Sequence, residues 1–163
     1  MNLISYTPAD WPAVEDIYWQ GIRTKVATFA TSPVPQAEFE AKALQGTFYV
    51  SKDSDGTVTG WACLWATSTR ACYRGVVEVS VYVAEDQRGK GTGLALLEKI
   101  NEVSEALGFW TLQAAIGTNN KASIKVHEKA GYRAVGVREK IAQTDGVWLD
   151  TLLMERRSSV VGT

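Results

Sequence analysis

Three glycines alternate with other residues in Arg88-Gly89-Lys90-Gly91-Thr92-Gly93, and what flanks this run constrains the architecture. An apolar strand pattern, Val76 to Val83, precedes it. A helical pattern, Leu94 to Leu107, follows, with Leu94, Leu97, Ile100, Val103 and Leu107 on one side and Glu98, Glu102 and Glu105 outside. Gly108 is placed to cap its end, and Trp110 to Ile116 reads as the next strand. Two strands joined through a helix are expected to run parallel. The glycine turn lies between them, at the strand end where open α/β sheets gather ligands. Its N–H groups can point outward unshielded, and the helix start adds free donors and partial positive charge. Such a turn suits a phosphate or pyrophosphate.

Spacing separates the phosphate-binding loops. A Walker loop requires G-x-x-x-x-G-K-[ST], but Gly89-Lys90 is followed by Gly91, and Ala84 stands where the first glycine belongs. A dinucleotide loop requires G-x-G-x-x-G. Gly89 and Gly91 fit, but Leu94 occupies the third position.

A chain of 163 residues is long enough to bury one core, and a single domain over 1–163 is expected, with 157–163 as a frayed tail. The net charge of -1 argues against a broad nucleic-acid surface. No apolar run reaches membrane-spanning length. Met1 to Tyr6 lacks the basic and apolar regions of a signal peptide, so the expected location is the cytoplasm. Cys63, Cys72 and His127 are too few for a usual zinc site, and no metal is expected. Both thiols are expected to be buried and reduced, and most of the six tryptophans to sit in the core.

The rest of the chain alternates in kind. Asn2 to Tyr6 reads as a strand. Asp10 is placed to cap a helix carrying Trp11, Val14, Ile17, Tyr18 and Ile22 on its apolar face. A loop over 25–35 holds the lone aromatic Phe29, and Gln36 to Leu44 is a short helix. Phe48 to Val50 and Val58 to Ala66 are strands joined over Asp55-Gly56. Asn120 to Ala130 is a helix stopped at Gly131. Tyr132 to Lys140 and Trp148 to Met154 form a hairpin over Thr144-Asp145-Gly146. The sum is an α+β (mixed α/β) fold of about seven strands and four helices, mostly antiparallel, with a central parallel pair.

Two motifs carry a family resemblance. Arg88-Gly89-Lys90-Gly91-Thr92-Gly93 fits [Q/R]-x-x-G-x-[G/A], the pyrophosphate-binding signature of the GNAT acetyltransferase superfamily. Asn120 through Tyr132 resembles N-x-x-[A/S]-x-x-x-Y-x-x-x-G-[F/Y], the superfamily's helix beside the pantetheine of coenzyme A. Gly21-Ile22-Arg23, Ala27-Thr28-Phe29, Tyr73-Arg74-Gly75, Glu78 to Val83, His127-Glu128 and Gly146 to Asp150 resemble the phosphinothricin and methionine sulfoximine N-acetyltransferases. The wider superfamily usually carries Tyr where this chain has His127. The subfamily shares that His, which puts a tyrosine acid in doubt. The resemblance implies a GNAT fold, acetyl-CoA as co-substrate, a small amino acid or analogue as acceptor, and a homodimer. It also leaves open a polyamine, a protein N-terminus, or a silent CoA-sensing domain.

Direct acetyl transfer needs a base, fixed donors for an oxyanion and an acid for the departing thiolate. Glu78 shares a strand face with Ser80 and Tyr82 and is the first candidate base, or else a glutamate paired with Arg74. His127 is a second base, the acid, or a packed histidine. Val81, Tyr82 and Val83 can pair with peptide-like pantetheine. Arg88, Gly89, Lys90, Gly91, Thr92, Gly93 and Leu94 are the candidate pyrophosphate seat. Asn120 and Ser123 either contact pantetheine or serve their own helix. Arg74 is a candidate clamp for an acidic group of the substrate. Phe29, Tyr73 and Val79 are candidate pocket walls. Trp148 and Asp150 are assigned to packing.

Overall fold

In the computed structural model, which describes residues 1–163, one seven-stranded sheet carries helices on both faces. Its strands are β1 (Asn2–Ser5), β2 (Tyr49–Lys52), β3 (Val58–Ala66), β4 (Val76–Val83), β5 (Thr111–Gly117), β6 (Arg133–Thr144) and β7 (Val147–Arg157). Their spatial order is β1-β2-β3-β4-β5-β7-β6. The helices are α1 (Trp11–Arg23), α2 (Gln36–Lys42), α3 (Thr92–Ala106) and α4 (Lys121–Lys129). The expected mixed sheet is present: β4 and β5 are parallel, and every other neighbouring pair is antiparallel.

The central pair is short. Val76, Val77 and Glu78 pair with Thr111, Leu112 and Gln113, and the register stops there. Beyond Glu78, β4 stays paired with β3 out to Gly60↔Val83. Beyond Gln113, β5 stays paired with β7 out to Gly117↔Thr151. The two strands thus part company, and each leaves one backbone edge facing an open wedge.

Each face of the sheet buries its own core. On the α3/α4 side, Leu64, Val77, Val79, Leu112 and Met154 pack with Leu96, Leu97 and Ile100. On the α1/α2 side, Trp61, Cys63 and Val50 pack with Trp11, Val14, Ile17 and Phe39. The alternation along β4 sorts its side chains accordingly. Val77 and Val79 enter the first cluster, while Tyr82 stacks on Trp61 at 4.7 Å. Gly21 is needed where α1 crosses Tyr82, because a Cβ there would lie 2.7 Å from the phenol ring.

Several sequence expectations give way here. Asp10 does not cap α1 with its side chain. Its carboxylate accepts from the Thr7 N–H and hydroxyl and pairs with Lys52 at 2.7 Å. Leu97, Ile100 and Val103 of α3 are buried as expected and Leu96 joins them, but Leu107 is exposed because the helix ends at Ala106. Only Trp11 and Trp61 of the tryptophans are buried, and Trp148 stands open on the β6–β7 hairpin. Cys63 is buried, as expected, but Cys72 is exposed in the loop before β4. The Arg157 guanidinium donates to the carbonyls of Trp110, Ser158, Val161 and Gly162, holding the last residues against β5.

One buried polar link fixes α4 to α3. Asn101 Nδ2 donates to the Ala130 carbonyl at 3.0 Å, and the Tyr132 hydroxyl donates to Asn101 Oδ1 at 3.2 Å. Asn101→Ala would strand both partners in the core. The expected loss is about 2–4 kcal/mol of folding free energy, read by urea unfolding, with Tyr132→Phe costing about 1 kcal/mol.

Candidate active site

The wedge between β4 and β5 opens into two adjoining cavities. One, of about 440 Å³, is lined by the far half of β4, by Ala114 to Gly117 of β5, by His127 of α4, and by the loop around Phe29. The other, of about 700 Å³, runs from Val81, Tyr82 and Val83 to the glycine turn, with α4 as its opposite wall. Val81, Tyr82, Asn120 and Ser123 border both.

The second cavity has the makings of an anion seat. Gly89 and Gly91 have φ of 76° and 90°, which side chains rarely tolerate, and a Cβ at either would meet nothing within 4 Å. The N–H groups of Gly89, Lys90 and Gly91 have no backbone acceptor. Helix geometry leaves those of Thr92, Gly93 and Leu94 free as well. The first internal bond of α3 runs from Ala95 to the Gly91 carbonyl. Consecutive donors therefore converge at a helix N-terminus. Of the expected seat residues, Arg88, Gly89, Gly91, Gly93 and Leu94 line the cavity. Thr92 does not; it is buried beneath the turn. Lys90 also lies outside, its ammonium 3.4 Å from Gln87 Oε1. Gln87, Lys125 and Lys129 are lining residues that the motifs did not single out. The lysines stand one turn apart on α4, a spacing legible in the sequence only once that helix is known to face the turn.

The smaller cavity gathers the titratable groups. Glu78 is half-buried on β4, and its Oε2 accepts from Gln113 Nε2 at 3.1 Å. The two residues are register partners on the parallel strands. Glu78 forms no ion pair with Arg74, whose guanidinium lies 5.3 Å over the Trp110 ring. Ser80, next along the same face, accepts from Trp65 Nε1 at 2.9 Å, which leaves its own hydroxyl proton free.

His127 is 2% exposed. Its Nδ1 lies 2.8 Å from the Ser123 carbonyl one turn back along α4. A carbonyl only accepts, so Nδ1 carries the hydrogen. Nε2 is buried without a partner, in a residue that lines the cavity between the two strands. Burial pushes the imidazole pKa below 6.5, and the bond to Ser123 opposes this only in part. The result is a neutral ring with a free lone pair. Asn120 caps α4 through its Oδ1, which accepts from the Ser123 N–H at 3.1 Å, and still borders both cavities.

Phe29 and Val79 line the smaller cavity, although Val79 is mostly committed to the core. Tyr73 and Arg74 border neither cavity. They sit exposed in the turn before β4, at the opposite end of the strand from the wedge. Arg138, Ile141, Ala142 and Thr151 of the β6–β7 hairpin reach the cavity instead. No sequence motif marks them, because their proximity depends on β7 inserting between β5 and β6.

The acetyltransferase (GNAT) family model matches residues 11–132. The chain belongs to the GNAT acetyltransferase family. This GNAT chain is 38% identical to the L-methionine sulfoximine/L-methionine sulfone acetyltransferase of Pseudomonas paraeruginosa, over 90% of its own length and 88% of the relative's. It is 33% identical to the phosphinothricin N-acetyltransferase of Alcaligenes faecalis, covering 90% and 77%. A solved GNAT phosphinothricin acetyltransferase from Sinorhizobium meliloti, in complex with AcCoA, superposes with a TM-score of 0.90 at 32% identity, over 99% and 90% of the chains. No helix is long and apolar enough to cross a membrane.

The buried imidazole has a signature in folding. Its native pKa lies below 6.5, so on acidification the unfolded chain takes up the proton first. The unfolded state binds more protons in the window between the native value and 6.5, and stability falls as pH drops through it. Above that window the contribution is constant. The difference in urea stability between wild type and His127→Gln should be flat above about pH 7 and decline below it.

Proposed function

We propose that this protein is an acetyl-CoA-dependent N-acetyltransferase acting on the α-amino group of a small amino acid or analogue of the methionine sulfoximine, methionine sulfone or phosphinothricin type. The observation that carries this reading is the continuity of the two cavities. A pyrophosphate held on the N–H groups of residues 89–94 would direct the rest of the cofactor along the free edge of β4. That path leads to the cavity where Glu78 and His127 stand. The residues fit the cofactor: the turn is open where a phosphate must approach, and the splayed edge of β4 offers peptide-like pantetheine a strand partner.

The chemistry follows from the groups present. The acceptor ammonium must lose a proton before its nitrogen attacks the thioester carbonyl. Glu78, directly or through a water, is one acceptor for that proton, and the free Nε2 of His127 is the other. The new N–C bond places negative charge on the carbonyl oxygen. The unpaired N–H groups of the β4 edge are suited to stabilise that charge. The nitrogen gives up its second proton, collapse breaks the C–S bond to leave the neutral amide, and the thiolate takes a proton from whichever group is then protonated. The transfer is direct, within a ternary complex. In this scheme Val81, Tyr82, Val83, Arg88, Gly89, Gly91, Gly93, Leu94, Asn120 and Ser123 hold the cofactor, and Phe29 and Val79 border the acceptor. The relatives' substrates favour an amino acid over a polyamine. A cytoplasmic homodimer is the proposed working form, with the open Val137 and Trp148 of the β6–β7 hairpin available for an interface.

Glu78→Gln and His127→Ala test the assignment. Each should lower kcat by about 10²–10⁴ in a free-thiol release assay with methionine sulfone and phosphinothricin. Calorimetry should show coenzyme A affinity within about threefold of wild type. A wild-type protein that binds coenzyme A but acetylates no amine would favour a sensing domain.

A further inference from the structure

Arg74, the expected clamp for an acidic group, lies outside the cavity that holds Glu78 and His127, and a different cation stands there. Arg138 of β6 lines the cavity and forms no ion pair within the chain. Its antiparallel register partner is Thr151 of β7. Residues directly opposite across such a pair project from one face, so guanidinium and hydroxyl leave the sheet together. Thr151 is 3% exposed, lines the same cavity, and its Oγ1 has no hydrogen-bonding partner. On its other side Thr151 pairs with Gly117 of β5, which brings no side chain of its own, although Asn119 Oδ1 and the Val26 carbonyl lie close over that glycine.

The local backbone keeps this place open. The β6–β7 register slips between Arg138 and Ala142. Within the slip Lys140 adopts a φ of 48°, and its N–H donates to Asp150 Oδ1 at 2.7 Å. A bulge of this kind re-aims the side chains around it. Arg138, Ile141 and Ala142 all border the cavity as a result. Among the residues lining it, Glu78 is the one carboxylate and Arg138 the one guanidinium. An amino acid carries the complementary pair of charges.

We propose that Arg138 and Thr151 form the subsite that selects the acceptor, binding its anionic oxygens while its amine lies toward Glu78 and His127. The guanidinium supplies charge and paired donors, and the buried hydroxyl gains the hydrogen bond it lacks in the free protein. Those oxygens belong to the α-carboxylate or to an anionic side chain such as a phosphinate. The assignment rests on the acetyl-transfer reading only for the kind of ligand.

Calorimetry on the coenzyme A-bound protein tests it without requiring turnover. The probes are methionine sulfone, phosphinothricin, and methylsulfonylpropylamine, which lacks the carboxylate. Wild type should bind the two amino acids more tightly than the amine. Arg138→Ala should weaken amino-acid binding about 10- to 100-fold and leave the amine unchanged. Thr151→Val should weaken it about 3- to 10-fold, and Arg138→Lys should restore part of the loss. Loss on both amino acids assigns the carboxylate, and loss on phosphinothricin alone assigns the phosphinate. Equal effects on all three probes, no effect, or a wild type that prefers neither amino acid overturns the subsite. Retained Arg138-dependent binding without acetyl transfer would instead remove the catalytic reading and leave the subsite standing. Coenzyme A affinity unchanged in each variant confirms that the fold is intact.

Discussion

The parting of β4 from β5 after Glu78 and Gln113 is the constraint on which the rest depends. A parallel pair normally satisfies both backbone edges along its length. Here the pairing covers Val76 to Glu78 only, while β3–β4 and β5–β7 continue as separate ladders. The sheet remains one body because the two cores clamp it from opposite faces. The cost is a row of backbone polar groups left open along both edges of the wedge. A peptide-like ligand suits such an edge, since its own amide groups can pair with it as a strand would.

That parting also explains how distant parts of the chain meet. The strand ends at the wedge bring together the glycine turn after β4, the start of α4 after β5, and the hairpin of β6 and β7. Gly21 lets α1 close against Tyr82, so the loop after α1 folds over the wedge and places Phe29 at its rim. The Asn101 link to Ala130 and Tyr132 holds the end of α4, and His127 sits one turn before that point. The imidazole is thus positioned by core packing and by its own helix backbone.

Local chemistry was legible in the sequence; proximity across the sheet was not. The glycine turn, the limits of β3 and β4, and the face that carries Glu78 follow from period and spacing within a few turns of chain, whereas the Asn120–Tyr132 motif and the choice of His127 rest on the family resemblance. Tyr73 and Arg74 border neither cavity, and strand alternation could not show this, because it says which face a residue takes, not which end of the strand carries the cavity. Glu78 lies near the point where the strands separate, and residues four or five positions earlier belong to the opposite end. Arg138 and Thr151 escaped because β7 inserts between β5 and β6, a choice that no local pattern records. Trp148 and Leu107 show the limit of apolarity as a guide to burial. Both are apolar, and both lie at element ends where the core has run out.

The orphaned polar atoms sharpen the distinction between core and site. His127 Nε2, Thr151 Oγ1, Trp61 Nε1 and Arg156 Nη1 are buried without partners. Each such atom costs about 1–3 kcal/mol relative to a satisfied one. Trp61 and Arg156 border neither cavity, so nothing that enters the wedge can relieve them. His127 and Thr151 both face the smaller cavity, from opposite walls built by α4 and β7. A ligand that displaced the contacts covering these two atoms and bonded to them would relieve both at once, a gain available only while it is bound. The free protein is correspondingly less stable than a fully satisfied core would make it, and of the four atoms only the two beside the cavity lie where binding could recover the deficit.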